Sequence, residues 1–169
     1  LLGRIMKCRW QSAQTGENKK LFAQKAYYAY LNAFKHSNGY WTGVNAAFMA
    51  RILGNENKSK AIANEVIENC NNLLKKGQQE GQEKYNLYWI HATIAEANLL
   101  LGENARAINS YQCACEADAP RRSQLISSRF QLELYKQNGF NVDDIINSIL
   151  KLPGIAIFAG HMIDEQSRD

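Results

Sequence analysis

Proline is scarce here, with two in 169 residues. A chain so poor in the residue that breaks helices and shapes turns does not read as a row of short strands. Nor does any apolar run approach the roughly 18 residues that a transmembrane helix needs. The opening Leu1-Leu2-Gly3-Arg4 lacks the charged and long apolar regions of a signal peptide. Four cysteines (Cys8, Cys70, Cys113, Cys115) and three histidines show no metal-type spacing. Cys113 and Cys115, two apart, point to different sides of a helix and make a poor chelate. They read as reduced thiols of a cytoplasmic protein. No H-E-x-x-H, Walker loop, nucleophile elbow or Cys-x-x-Cys is present. The sequence therefore carries none of the signatures of those enzyme classes, and no metal or cofactor is expected.

Charge of one sign is also short in each half. Residues 1–76 hold twelve Lys/Arg against four Asp/Glu, and residues 77–169 hold eight against twelve. The basic half could attract an acidic partner. A nucleic-acid site would need those cations interleaved with stacking aromatics on one face, a pattern the sequence does not show.

What is abundant is helix-forming sequence. Periodicity and breakers mark about eight helices, near 2–13, 18–36, 41–53, 57–75, 85–101, 103–117, 120–137 and 141–151. Glycines at 16, 39, 54, 77, 102 and 139 stand at the expected ends. Pro120 suits a first helical turn, and Asn141 with Asp143 and Asp144 suits an N-terminus.

Two of these helices echo each other. YWTGVNAAFMARILG (40–54) and YWIHATIAEANLLLG (88–102) align without a gap. Tyr40/Tyr88, Trp41/Trp89, Ala47/Ala95, Leu53/Leu101 and Gly54/Gly102 are identical. A small residue in mid-helix admits a close neighbour, and a terminal Gly takes the left-handed cap. Ala26, Tyr30 and Ala33 share their i, i+4, i+7 spacing with Ala107, Tyr111 and Ala114. Such internal repetition predicts an all-α array of antiparallel helix pairs over residues 1–152.

These residues resemble tetratricopeptide repeats. With Gly102 as the turn glycine, Ala95, Ala107, Tyr111 and Ala114 fall on that family's small and aromatic anchors. His91 and Asn98 stand where the family favours Trp and Tyr, and Pro120 comes one residue late. A narrower resemblance covers most of the chain. GRIMKCRW (3–10), AYYAYLNAF (26–34), GYWTGVNAAFMARILG (39–54) and YWIHATIAEANLLLG are similar to the helical region flanking the kinase domain of apoptosis-signal-regulating MAP kinase kinase kinases, and to bacterial proteins of unassigned role. That resemblance implies a TRAF-binding-type regulatory module that binds a protein, a peptide or another domain of its own chain. It implies no catalysis, nucleic acid or membrane.

In the tetratricopeptide register the concave face receives Trp41, Val44, Phe48 and Arg51, then Trp89, Ala92, Glu96 and Leu99. These are the candidate groove residues; equally, they could pack on adjacent helices. Glu96, set among alanines, needs a partner if buried, and His91 reads as a packed or half-exposed histidine. The end of the chain changes character. LPGIAIFAGHMID (152–164) reads as a linker and a short strand opening a further α/β domain, with residues 153–169 outside the helical unit. It suggests a piece of a longer protein, with the strand free to pair in a homodimer. His161 and Asp164 are the one pair that tempts a catalytic reading. Hence the alternative function, the sensory half of a nucleotide-responsive enzyme or effector whose second domain begins near residue 154.

Overall fold

The structure, a computed structural model, describes residues 1–80, 86–117 and 120–152. The strand-like tail, His161 and Asp164 lie outside the described residues. Among the described residues seven α-helices follow one another: α1 (Leu2–Ser12), α2 (Gly16–Ser37), α3 (Tyr40–Ile52), α4 (Glu56–Glu80), α5 (Leu87–Leu101), α6 (Asn104–Ala117) and α7 (Arg122–Gln137). A short π-helical segment, Ile145–Ile149, here called α8, closes the described chain. The protein is all-α, as its periodicity implies; among the described residues there is no strand.

Short turns fold α2, α3, α4 and α6 each back on the helix before it. From α1 to α6, helices adjacent in sequence pack together, and α3 also meets α5. The central pair is therefore enclosed. Residues 43–50 of α3 and 92–100 of α5 are all buried, which is why both helices are apolar around most of their circumference. Peripheral helices bury one stripe each. In α1 it is Gly3, Lys7 and Trp10; in α6 it is Ala107, Ser110, Tyr111 and Ala114. The α2 stripe runs Ala23, Ala26, Tyr27, Tyr30 and Phe34. Ala33, expected to share the face of Ala26 and Tyr30, is exposed.

The echo between α3 and α5 extends to the hydrogen bonds of their C-terminal ends. Gly54 and Gly102 sit at φ +76° and +83°. Around them Asn55 N–H donates to the Ala50 carbonyl, and Glu103 N–H to that of Asn98, each at 2.9 Å. Gly139, at φ +87°, ends α7 the same way, with Phe140 N–H on the Tyr135 carbonyl. Three glycines thus turn the chain back by one mechanism.

Other boundaries differ from expectation. Gly16 does not stop α1; it opens α2 behind Thr15, whose side chain caps Asn18 N–H. Gly77 does not end α4, which runs on to Glu80. A buried Gly flanked by the helix formers Lys76 and Gln78 costs only about 1 kcal/mol, which packing elsewhere on a long helix offsets. The eighth helix is not α but π. Leu150 N–H reaches the Ile145 carbonyl, and the Arg129 guanidinium of α7 accepts the role of cap, donating to the carbonyls of Ile146 (2.6 Å) and Leu150 (2.9 Å). A charged donor from a neighbouring helix satisfies carbonyls that the helix itself leaves open. Val142, Ile145, Ile146 and Leu150 are buried, and α8 packs on α6.

Close approach depends on two helical glycines. A Cβ at Gly3 would lie 2.7 Å from the Tyr30 ring. One at Gly43 would collide with Val66 and come within 2.7 Å of Phe34, so α2, α3 and α4 converge where only hydrogen fits. Gly43→Ala should therefore destabilise the fold by about 1–3 kcal/mol despite the better helix propensity of Ala. Thermal denaturation followed by circular dichroism checks this; a variant as stable as the parent would show that the helices can part at no cost.

Candidate partner-binding surface

The odd-numbered helices bring their facing sides together, and a buried lysine occupies the junction. Lys7 of α1 is 7% exposed. Its Nζ donates to Asn45 Oδ1 of α3 at 2.7 Å and to Gln131 Oε1 of α7 at 2.8 Å, and lies 5.1 Å from the centre of the Phe48 ring. Asn45 is itself oriented, since its amide donates to the Trp41 carbonyl. Phe48 is packed edge-on by Trp10 and tilted against Tyr135, at centroid distances of 6.1 and 4.6 Å. Helices α1, α3 and α7 therefore meet around one ring and one ammonium group.

Glu96 of α5 completes the cluster. Burial pushes its carboxyl up to about 7; the Lys7 charge and the nearby Gln131 amide hold it below where burial alone would put it. Burial likewise lowers the Lys7 ammonium to about 8, against the pull of Glu96. The Gln131 amide nitrogen and the hydroxyls of Tyr111 and Tyr135 are buried close by without a completed hydrogen bond. Both phenols are pushed well above their ordinary range, first by burial and next by the charge of Glu96. A second polar contact, Tyr88 Oη to Ser128 Oγ at 2.8 Å, ties α5 to α7.

This arrangement decides where the eight candidate residues go. Val44, Phe48, Ala92, Glu96 and Leu99 are buried inside the array. Trp89 is half-buried, and Trp41 and Arg51 are exposed. Arg51 spends its charge on Glu56, 2.5 Å away, and its guanidinium stands 5.9 Å from the Phe140 ring. The two tryptophans of the echo are not brought together. Trp41 packs edge-on against Tyr30 and borders an apolar groove of about 350 Å³ with Leu2, Gly3, Ala29 and Ala33. Trp89 borders a separate polar recess of about 300 Å³ with Asn86, Arg121, Ser123 and Ser127. Glu96 meets a neighbouring helix, one of the two roles open to it. Among the described residues no cluster of His, Cys, Asp and Glu could hold a metal ion.

The family model of the MAP3K TRAFs-binding domain matches residues 1–144. The chain belongs to that family. No curated protein and no solved structure matches it. In this MAP3K TRAFs-binding domain the matched span takes in α1 to α7, with the whole Lys7 cluster, and ends one residue before α8. The family's description is one of protein binding. Lys7, Asn45, Gln131 and Tyr135 were not legible as partners. The one available signal was that Gly3, Lys7 and Trp10 share a helical face.

The cluster makes stability depend on pH in a defined direction. With its folded value raised from the ordinary carboxylate range to about 7, Glu96 holds a proton that the unfolded chain releases. Its stabilising contribution is complete below about 4.5 and is lost as pH rises to 7, with a slope of up to about 1.4 kcal/mol per pH unit. Lys7, lowered to about 8, adds the opposite slope, stability rising from about 8 towards its ordinary value. Urea midpoints should therefore fall between pH 5 and 7, and Glu96→Gln should flatten that fall. An unchanged slope in the variant would place the titrating group elsewhere.

Proposed function

We propose that this chain is a non-catalytic interaction and regulatory module of a larger protein, built as a tetratricopeptide-like array and working in the cytoplasm. Its partner is a protein or peptide, or another domain of the same chain. The observation that carries the reading is the family match over residues 1–144, together with an array most of whose large exposed apolar side chains gather at one end, Phe130 of α7 standing apart. Leu2, Ile5, Leu21, Tyr28 and Trp41 are all on α1, α2 or the first turn of α3. An exposed aromatic beside an apolar groove is the kind of anchor from which most interface energy comes. No helix among the described residues is long and apolar enough to cross a membrane. The four cysteines are unpaired in the structure, in keeping with a reducing compartment.

Photo-crosslinking separates surface from scaffold. With p-benzoylphenylalanine placed at position 41 or 89 in the full-length parent, irradiation in cells should give discrete protein adducts. Trp41→Ala should then weaken the captured interaction by at least fivefold while the melting temperature moves by no more than a few degrees. Phe48→Ala, by contrast, should cost about 3–5 kcal/mol of stability. Adducts from no exposed position of the module would sink the interaction reading.

A further inference from the structure

Leu2, Met6 and Tyr28 of α1 and α2 share one surface. A groove of about 720 Å³ runs between the two helices, with Leu2 and Met6 on one side and Lys25, Tyr28, Ala29 and Asn32 on the other. It shares Leu2, Ala29 and Asn32 with the smaller groove that ends at Trp41. Leu2 is 59% exposed, Tyr28 65% and Trp41 48%, so the floor and walls are open to solvent. In a stacked helical array such a face is where one more helix would pack.

The rim fixes the chemistry of what packs there. Helices α1 and α2 expose Arg4, Arg9, Lys19, Lys20, Lys25 and Lys35 against a single carboxylate, Glu17. No Asp or Glu lines either groove. None of these cations takes part in an ion pair among the described residues. Of these, Lys25 lines the groove itself; Arg4 and Arg9 border the outer face of α1 with Ile5 and Cys8, and Lys19 and Lys20 face α3. An apolar trough that carries Lys25, on two helices of strongly positive charge, is complementary to a helix with an apolar stripe and acidic shoulders. A second copy of this chain is a poor occupant, because a two-fold contact through this face would set Lys25 and the positive field of α1 and α2 against themselves. We propose that the α1–α2 groove docks an acidic amphipathic helix of a partner protein, its apolar stripe over Leu2, Met6 and Tyr28 and its carboxylates on Lys25 and on Arg9, whose guanidinium stands over Phe22 of α2. This rests on the interaction-module reading and specifies the partner's chemistry.

The test uses three fluorescein-labelled 18-residue peptides and the chain of residues 1–169. One has Leu at helical i, i+4, i+7, i+11 spacing and Glu at most other positions. The second replaces every Glu by Lys, and the third replaces every Leu by Ser. Fluorescence anisotropy should show the Leu/Glu peptide binding at least tenfold tighter than either control. Affinity should drop at least threefold between 50 and 300 mM salt. Lys25→Glu and Tyr28→Ser, both at exposed positions, should each weaken binding at least fivefold with an unchanged melting temperature, whereas Phe130→Ser, exposed on α7 outside the groove, should leave it as it was. The proposal is overturned if the Lys peptide binds equally well or if no peptide binds below 1 mM. It is also overturned if labelled oligo(U) binds more tightly than the Leu/Glu peptide, or if light scattering shows a dimer that Tyr28→Ser dissolves. Adducts from positions outside this groove, with no peptide binding, would remove the groove and leave the module; adducts from nowhere would remove both.

Discussion

An ammonium group taken out of water needs its donors satisfied and a counter-charge within reach, and the centre of this protein is organised around meeting that need. Lys7 is satisfied only if α3 presents Asn45 and α7 presents Gln131, with Glu96 of α5 alongside. Removing any one helix leaves a buried charge without its complement. The pair does not rank as a large source of net stability, since desolvation takes back most of the attraction. What it specifies is arrangement: which four helices meet, and at which turn.

That cluster also decides where apolar surface stays open. Were the faces of the odd helices open, the apolar positions from Val44 to Leu99 would form a trough. Instead Lys7, Phe48 and Tyr135 fill the space, and the open apolar area lies on the outside of α1 and α2. The excess positive charge of the first half is concentrated on the same two helices, so the region that lacks a neighbour is also the one with an unbalanced field.

Much of the scaffold was legible because local chemistry enforces it. Gly54, Gly102 and Gly139 had to take left-handed caps, and they do. The echo of α3 and α5 in sequence became an echo in the hydrogen bonds of their C-terminal ends. The all-α class followed from period and from the shortage of proline. Long-range features were less visible. A lysine on a short helix reads as solvated, and nothing near Lys7 in sequence announces Asn45, Glu96 or Gln131, which arrive from 38 to 124 residues away. For the same reason the paired tryptophans looked like one site: Trp41 and Trp89 match in register, yet Tyr30 surrounds one and Asn86 with Arg121 the other. The π-turn at Ile145–Ile149 depends on Arg129, sixteen residues upstream of its start, and no local signal encodes it.

Stacked helical repeats commonly gain stability from nearest neighbours alone, so such arrays can fray from an end one unit at a time. The bond from Lys7 to Gln131 spans 124 positions and links the first helix to the seventh. Neither end can peel away without stranding a charge in the middle. The chain is thereby committed to melting as one body, and its folding must wait on a contact between distant parts of the polymer.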